Sequence, residues 1–528
     1  MLKDHFLTLA VCSICCSFVT PNIIVGQTIS PVIFAGQQLD SDRTIVEVPS
    51  SSFRSFFSFN EDKISFLAAI DDSSTGQSSV DAVFAGSISE FDEIAREGQA
   101  IPGSDRTFSL GSYRPNGISQ MGNATFRCRD NTFEDILLHY RDSSLSVLLH
   151  EGEPTPDGTA LVGTIQRSAF TEEGNFATFA TVSGTFENPG GTTLFLLNDG
   201  VLQEVAREGR EVGDTGIIPR AIVPFGTLGI SSNNEVAFAI GGRVRSTGFL
   251  LLNENADLID ELTVPFFFTA DDGDFYEFNN QGTAFFSLNE GDNGYQFRQG
   301  GEPIELFRNN EPVPNGDGLF GFLSGLFSGE SNIINENNEL AFTMFLSSTS
   351  LGNDNDEAVF RYSSVTGLVE VIRESDPLPD RPGNFISMRA YDFNDQGQVL
   401  IGGLVQNSGL DFDFAFYIHE PDGSYTPIVK RNQQLLDSTI ANVDELQLNA
   451  QGQVAFGFGL ADGTEGIAIW DPNLLGDFDL DGAVSFSDIP PFIDMLLNSE
   501  FLVQGDINQD GSVDFLDIEP FIDLLISN

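Results

Sequence analysis

Leu448-Asn449-Ala450-Gln451-Gly452-Gln453-Val454-Ala455-Phe456 is the clearest copy of a motif that recurs through most of this chain. An Asn, Ser or Thr at the first corner of a type I turn hydrogen-bonds the turn's own backbone, and Gly suits the fourth corner. The apolar residues that follow then begin a strand. Related copies start at Asn60, Ser119, Thr171, Ser231, Asn279, Asn335 and Asn394, at intervals of 48 to 60 residues. Three residues after each start stands Lys63, Gly122, Gly174, Asn234, Gly282, Asn338, Gly397 or Gly452.

Working outward from the turn, Val236-Ala237-Phe238 and Leu340-Ala341-Phe342 begin strands. A second strand signature follows, as in Thr193-Leu194-Phe195-Leu196-Leu197 and Glu357-Ala358-Val359-Phe360. A third ends at a turn: Ile94-Ala95-Arg96-Glu97-Gly98, Val205-Ala206-Arg207-Glu208-Gly209, Ile372-Arg373-Glu374. Helical periodicity is nearly absent, so each unit is three or four strands long. Units of this size fit propeller blades of about 40–50 residues.

The last copy stops after two strands at Pro472, while Val32-Ile33-Phe34-Ala35-Gly36-Gln37 looks like the missing third-strand signature. Pairing both ends in one blade would close a ring. The expectation for residues 28–472 is a mainly β fold, a β-propeller with eight blades favoured and seven possible. A row of small β-sandwiches is the alternative, and it needs no such complementarity of the ends.

On these residues the body resembles the exported bacterial tandem-repeat family recognised by Asn-x-x-Gly-x-x-Ala-Phe, whose members end in various surface anchors. The resemblance implies fold and location; it implies no chemistry.

The chain ends in two copies of a different pattern, 29 residues apart. The first loop places Asp477, Asp479, Asp481, Ala483 (through its carbonyl), Ser485 and Asp488 at positions 1, 3, 5, 7, 9 and 12. The second places Asp506, Asn508, Asp510, Ser512, Asp514 and Asp517 there. Calcium takes six to eight oxygens from such a loop, with Gly at position 6, here Gly482 and Gly511. Apolar helices are expected after each loop, from Ile489 and from Ile518. Two calcium ions are therefore expected in residues 477–528. This loop–helix tandem resembles a dockerin, a module of the EF-hand type. The resemblance implies docking onto a cohesin-like or other surface protein, in systems that often act on polysaccharide. Positions 10 and 11 depart from the dockerin pattern, being Phe486/Ser487 and Phe515/Leu516.

Lys3, the apolar stretch from Phe6 to Val19 and the small residue Gly26 read as a signal peptide over 1–26. No apolar run approaches the roughly 18 residues of a membrane span. Cys12, Cys15 and Cys16 fall in the leader, so Cys128 alone remains beyond it and no disulfide forms within residues 27–528. A secreted or cell-surface bacterial protein is expected. The formal net charge is -54, which disfavours nucleic acid and anionic membrane as partners.

Signals for catalysis are sparse. His139, His150 and His419 are scattered, and His150-Glu151-Gly152-Glu153 lacks the second histidine of a helical zinc motif. Cys128 between Arg127 and Arg129 is read as a small packing residue, with a low-pKa thiolate as the alternative. Asp271-Asp272-Gly273-Asp274 and Asn353-Asp354-Asn355-Asp356-Glu357 are read as solvated turns, with calcium loops as the alternative. The leading expectation is a non-enzymatic propeller for binding or display, docked through its tail. The rivals are a glycoside hydrolase or lyase, and a structural surface-layer component.

Overall fold

The computed structural model describes residues 28–49, 56–171, 174–184, 190–198, 200–213, 217–219, 221–222, 228–231, 233–241, 248–253, 255, 258–263, 273–279, 281, 283–288, 293–298, 303–314, 316–323, 332–406, 412–472, 476, 478, 484, 486–498, 505, 507 and 513–527. The expected leader (1–26) lies outside them, as do Asp271 and Asp272.

Eight antiparallel sheets follow one another along the chain, and together they form an eight-bladed β-propeller. Blade 1 runs from Arg43 to Arg96, blade 2 from Phe108 to His150, and blade 3 from Val162 to Arg207. Blades 4, 5, 6 and 7 run Ala221–Thr263, Gly273–Arg308, Leu319–Arg373 and Asn384–Lys430. Blade 8 takes Gln434–Asp471 and, as its outermost strand beside Glu465–Asp471, the N-terminal strand Thr28–Phe34. Ala35 N–H donates to the Glu465 carbonyl at 2.9 Å where the ends meet. The ring is thus closed by both ends of the domain in one blade, as the sequence leads one to expect. Each blade has four strand positions; the innermost precedes the motif turn, outside the signatures read from the sequence.

Second strands are largely covered on both faces. Val454–Leu460 is buried at every residue and Phe176–Val182 at all but one. Such strands read as continuous apolar runs, and here Ala or Gly alternates with Phe. The rings fill the wedges between blades, as in Phe285–Phe342 (5.7 Å) and Phe342–Phe360 (6.0 Å) between and within blades 5 and 6. Buried clusters bridge consecutive blades, one of them joining Ile33, Ile467 and Ile469 of blade 8 to Ile45, Phe66 and Phe84 of blade 1. The high Phe content is the material of these wedges.

The motif turn is the hairpin between first and second strands. Gly452 N–H donates to Asn449 O at 3.1 Å, and Asn449 N–H to Gln453 O at 3.0 Å. This is a type I turn followed by a left-handed residue. Gly452 has φ +83°, and Gly122, Gly174, Asn234, Asn338 and Gly397 also have positive φ, the region open to Gly and tolerated by Asn. Blade 1 departs because Asn60 pairs directly with Lys63 across a shorter turn, with Glu61 at φ 52°. Its Lys63 therefore needs no glycine.

The motif asparagine does more than shape its turn. Asn449 Oδ1 accepts from Gln451 N–H (3.0 Å) and Gln453 N–H (2.9 Å). Its buried amide then faces the next blade. Asn279 Nδ2 donates to Asn335 O at 2.7 Å, Asn335 to Asn394 O at 3.1 Å, and Asn394 to Asn449 O at 3.0 Å. Asn60 reaches Ile118 O at 3.2 Å. Thr171 lacks the amide, and Asn175 supplies it, donating to Ser231 O at 3.3 Å. The repeat motif is an inter-blade clasp.

The described residues between Pro472 and Ser527 form a separate small unit. It holds two helices, Ile489–Asn498 and Ile518–Ser527, each led by a single 3-10 turn. Phe478, Phe492 and Phe521 form its core, with ring centroids 4.7 to 5.1 Å apart. Among the described residues no helix is long and apolar enough to cross a membrane.

Candidate functional site

In a four-stranded meander the motif turns lie on one face. The loops between second and third strands, and between blades, lie on the other. Clusters of titratable groups occur on that second face. Blade 2 is the densest case. Arg106 Nη1 lies 2.6 Å from Asp130 Oδ2, bonds Glu134, and lies 3.4 Å from His150 Nε2. His150 Nε2 is 3.2 Å from Asp130 Oδ2. These residues come from three segments, the turn holding Asp130 and Glu134 being one, and sequence spacing gives no sign that the three meet. Asp130, Glu134 and His150 offer a ligand set of metal-binding type, but the guanidinium already stands among the three. Burial raises the Asp130 pKa, while Arg106 and the Glu134 and Thr132 donors hold it well below the usual carboxylate range. The cluster is an ion-pair network centred on Arg106, and its role is structural.

The same device recurs at the ends of outer strands as Glu-x-x-Arg. Glu93/Arg96, Glu204/Arg207, Glu305/Arg308 and Glu370/Arg373 are each ion-paired. On blade 1 the hydroxyl of Ser74 and the guanidinium of Arg96 hold Asp72 well below its ordinary pKa. A shallow depression of about 440 Å³ lies beside it, lined by Gln38, Asp42, Asp71, Asp72 and Gln77.

Cys128 is 1% exposed on the second strand of blade 2, and burial pushes its thiol pKa far up. The low-pKa alternative is therefore overturned: Arg127 and Arg129 flank it in sequence, yet the strand alternation sends them to the other face. His139 is buried and its pKa is lowered by burial and by Arg141. Burial and Arg361 hold His419 down to about 4. In Asn353–Glu357 two side chains turn to protein donors and acceptors. Asn355 bonds Asp317 (3.1 Å), and buried Glu357 accepts from Ser387 Oγ (2.8 Å) and Met388 N–H (3.0 Å). The solvated-turn reading holds for exposed Asn353 and Asp354, whereas Asn355 and Glu357 are buried and bonded to the protein.

In the tail, Asp488 and Asp517 are 0% exposed. Asp488 Oδ1 accepts Phe478 N–H at 2.5 Å. Asp514 Oδ1 accepts Leu516 N–H (2.7 Å) and Asp517 Oδ2 accepts Asp514 N–H (2.9 Å), a reciprocal cap that starts the second helix. The other expected ligands, Asp477, Asp479, Asp481, Ala483, Ser485, Asp506, Asn508, Asp510 and Ser512, lie outside the described residues. Phe486, Phe515 and Leu516, at positions 10 and 11, are 79%, 73% and 65% exposed.

A family model described as a family of unknown function (DUF7453) matches residues 23–254 and 273–473, spanning the propeller. The chain belongs to that family. No curated protein matches it. Among solved structures it is similar to the Dos1 propeller, at 10% identity and TM-score 0.37, covering 85% of this chain and 95% of that one. Virginiamycin B lyase from Staphylococcus aureus gives 12% identity and TM-score 0.30, covering 68% of this chain and 94% of the lyase. A puromycin-hydrolyzing peptidase of Mycobacterium tuberculosis gives 12% and 0.37, covering 79% of this chain; this chain spans 60% of the peptidase's length. At TM-scores below 0.5 no activity is carried over from any of them.

Proposed function

We propose that this member of the DUF7453 family is an exported β-propeller for binding or display, with a C-terminal module ordered by two calcium ions and used for docking. The observation that carries the calcium reading is the complete burial of Asp488 and Asp517, the twelfth residues of the two loops. Residues 477–528 contain twelve Asp and Glu and no Lys, Arg or His. Each of these carboxylates accepts a backbone N–H, and a cation would offset the negative charge crowded around them. Bound calcium would supply that charge and fix each loop against its helix. Asp477, Asp479, Asp481, Ala483, Ser485 and Asp488 would hold one ion; Asp506, Asn508, Asp510, Ser512, Asp514 and Asp517 would hold the other. The exposed Phe486, Phe515 and Leu516 offer an apolar docking patch for a cohesin-like or other surface protein. Export rests on the expected leader at 1–26.

Calorimetric titration of the full chain after chelation tests the module. Two ions should bind, and Asp488→Asn and Asp517→Asn should each lose one. A chain that takes up no calcium would end the docking reading.

A further inference from the structure

Arg43, Arg96, Arg106, Arg207, Arg361 and Arg373 each hold a carboxylate. Arg114 does not. It is exposed on the innermost strand of blade 2 (Phe108–Ile118), and among the described residues it makes no ion pair. Its partner directly across the sheet is Arg127. Directly opposed residues in an antiparallel pair share a face with Cβ atoms about 5 Å apart, and like charges there are destabilising.

Arg127 does not escape the repulsion. Its Nη1 reaches blade 3 and donates to the carbonyls of Ile165 and, at 3.2 Å, Gln166. Neutral carbonyls orient a guanidinium without cancelling its charge. Burial lowers the Arg127 pKa; Asp135 opposes this, and Arg114 and Arg129 add to it. Asp135 is itself bonded to Arg129 at 3.1 Å. The innermost strands here also carry two buried polar atoms without a protein partner, Asn116 Nδ2 on blade 2 and Gln166 Oε1 on blade 3.

Two cationic forks therefore face one another on the first and second strands of blade 2, and one amide donor and one amide acceptor stand on the innermost strands of blades 2 and 3. Arginine forks match a carboxylate bidentately, and an amide donor and acceptor suit sugar hydroxyls. The net charge of -54 repels anions at long range. At physiological salt, however, charges beyond about 8 Å are screened and the nearest groups decide. We propose that Arg114 and Arg127 form an anion-binding site on the propeller's inner strands, taking a carboxylated sugar residue of an acidic polysaccharide. This rests on the binding reading above and names its ligand class.

The test is calorimetric titration of the full, calcium-loaded chain with galacturonate and mannuronate trimers, at fixed ionic strength. Methyl-esterified galacturonate trimer and sodium sulfate serve as comparisons. At least one uronate trimer should bind, with at least tenfold weaker binding after esterification and in Arg114→Gln. Arg114→Gln should melt no lower than the wild type, since it removes a like-charge opposition, so lost binding is not lost folding. Arg43→Gln, on the rim of blade 1, should bind normally. The site assignment is overturned if neither trimer binds, if Arg114→Gln binds as well as wild type, or if sulfate displaces the trimer at equal concentration. Retention of the wild type and Arg114→Gln alike on a polysaccharide would remove this site and leave the binding reading standing. Retention on none would remove both.

Discussion

Asn449 Nδ2 of blade 8 donates to the carbonyl oxygen of Glu61 in blade 1 at 3.1 Å. The clasp that links neighbouring blades thus also links the last to the first. Gln447 reinforces the same seam, accepting Phe59 N–H at 2.8 Å and donating to Phe57 O at 3.1 Å. Serine at a motif position keeps the turn, as Ser119 and Ser231 do by accepting from the residue four on, but it cannot span to the next blade. Asn449→Ser should therefore cost about 1–2 kcal/mol, the value of a buried hydrogen bond whose partner is left unmet. Denaturant unfolding checks this, and Ser231→Asn is the reciprocal variant, expected to be neutral or stabilising.

Gly466 sits where the N-terminal strand joins blade 8. A Cβ there would lie 2.3 Å from Ile33 O and 2.9 Å from Phe34 Cβ. The backbone cannot yield cheaply, so Gly466→Val should open the closing strand and cost about 1–3 kcal/mol. Gly111, with nothing near its Cβ position, is the control. Faster amide exchange confined to residues 28–36 and 465–471 in Gly466→Val would mark the seam. Uniform exchange would show that closure does not depend on it.

The propeller should be most stable at mildly acidic pH. Burial pushes Glu374 up to about 7, with Asp356 and Glu357 adding repulsion, and burial pushes Asp392 to about 6. Unfolded carboxylates titrate near 4, so the folded state holds these protons more tightly. Their contribution is present below about pH 4 and is lost as pH rises towards 7. Asp72 and Asp130 are depressed, so their contribution is present above about pH 4 and is lost below it. Melting temperature should peak near pH 4, and Asp392→Asn should flatten its fall between pH 4 and 6.

Chelation should loosen the tail unit and leave the propeller's melting transition in place. Saturating calcium at 100 times its dissociation constant contributes about 2.7 kcal/mol per site by mass action. Asp514→Ala removes a loop ligand and the helix cap together, so it should cost about 1 kcal/mol even without calcium. Far-ultraviolet dichroism of the full chain with and without calcium separates the two effects.

The turns and the closure were legible because physics narrows the residues allowed there. A left-handed corner admits Gly or Asn, and an Asx turn demands a side-chain acceptor, so Asn449 and Gly452 advertise themselves. The shortfall of one strand before Pro472 likewise points to Val32–Gln37. The innermost strands were hidden because they are interrupted. Phe108–Ile118 breaks register twice against its neighbour, and blade 1 splits its first strand into Arg43–Glu47 and Phe57–Asn60. Period-two alternation is lost in such strands. The Arg106–Asp130–Glu134–His150 network was invisible for another reason: three segments supply it, and only the blade geometry brings them together. Arg114 and Arg127 are thirteen positions apart in sequence and opposite one another only once the strands pair.

The most direct test of the binding reading is retention of the calcium-loaded chain, residues 27–528, on insoluble polysaccharides, with reducing and unsaturated sugar ends assayed in the same tubes. Retention on an acidic polysaccharide without any release of sugar ends is the predicted result. Sugar release, or passage of the chain through every polysaccharide unretained, would contradict it.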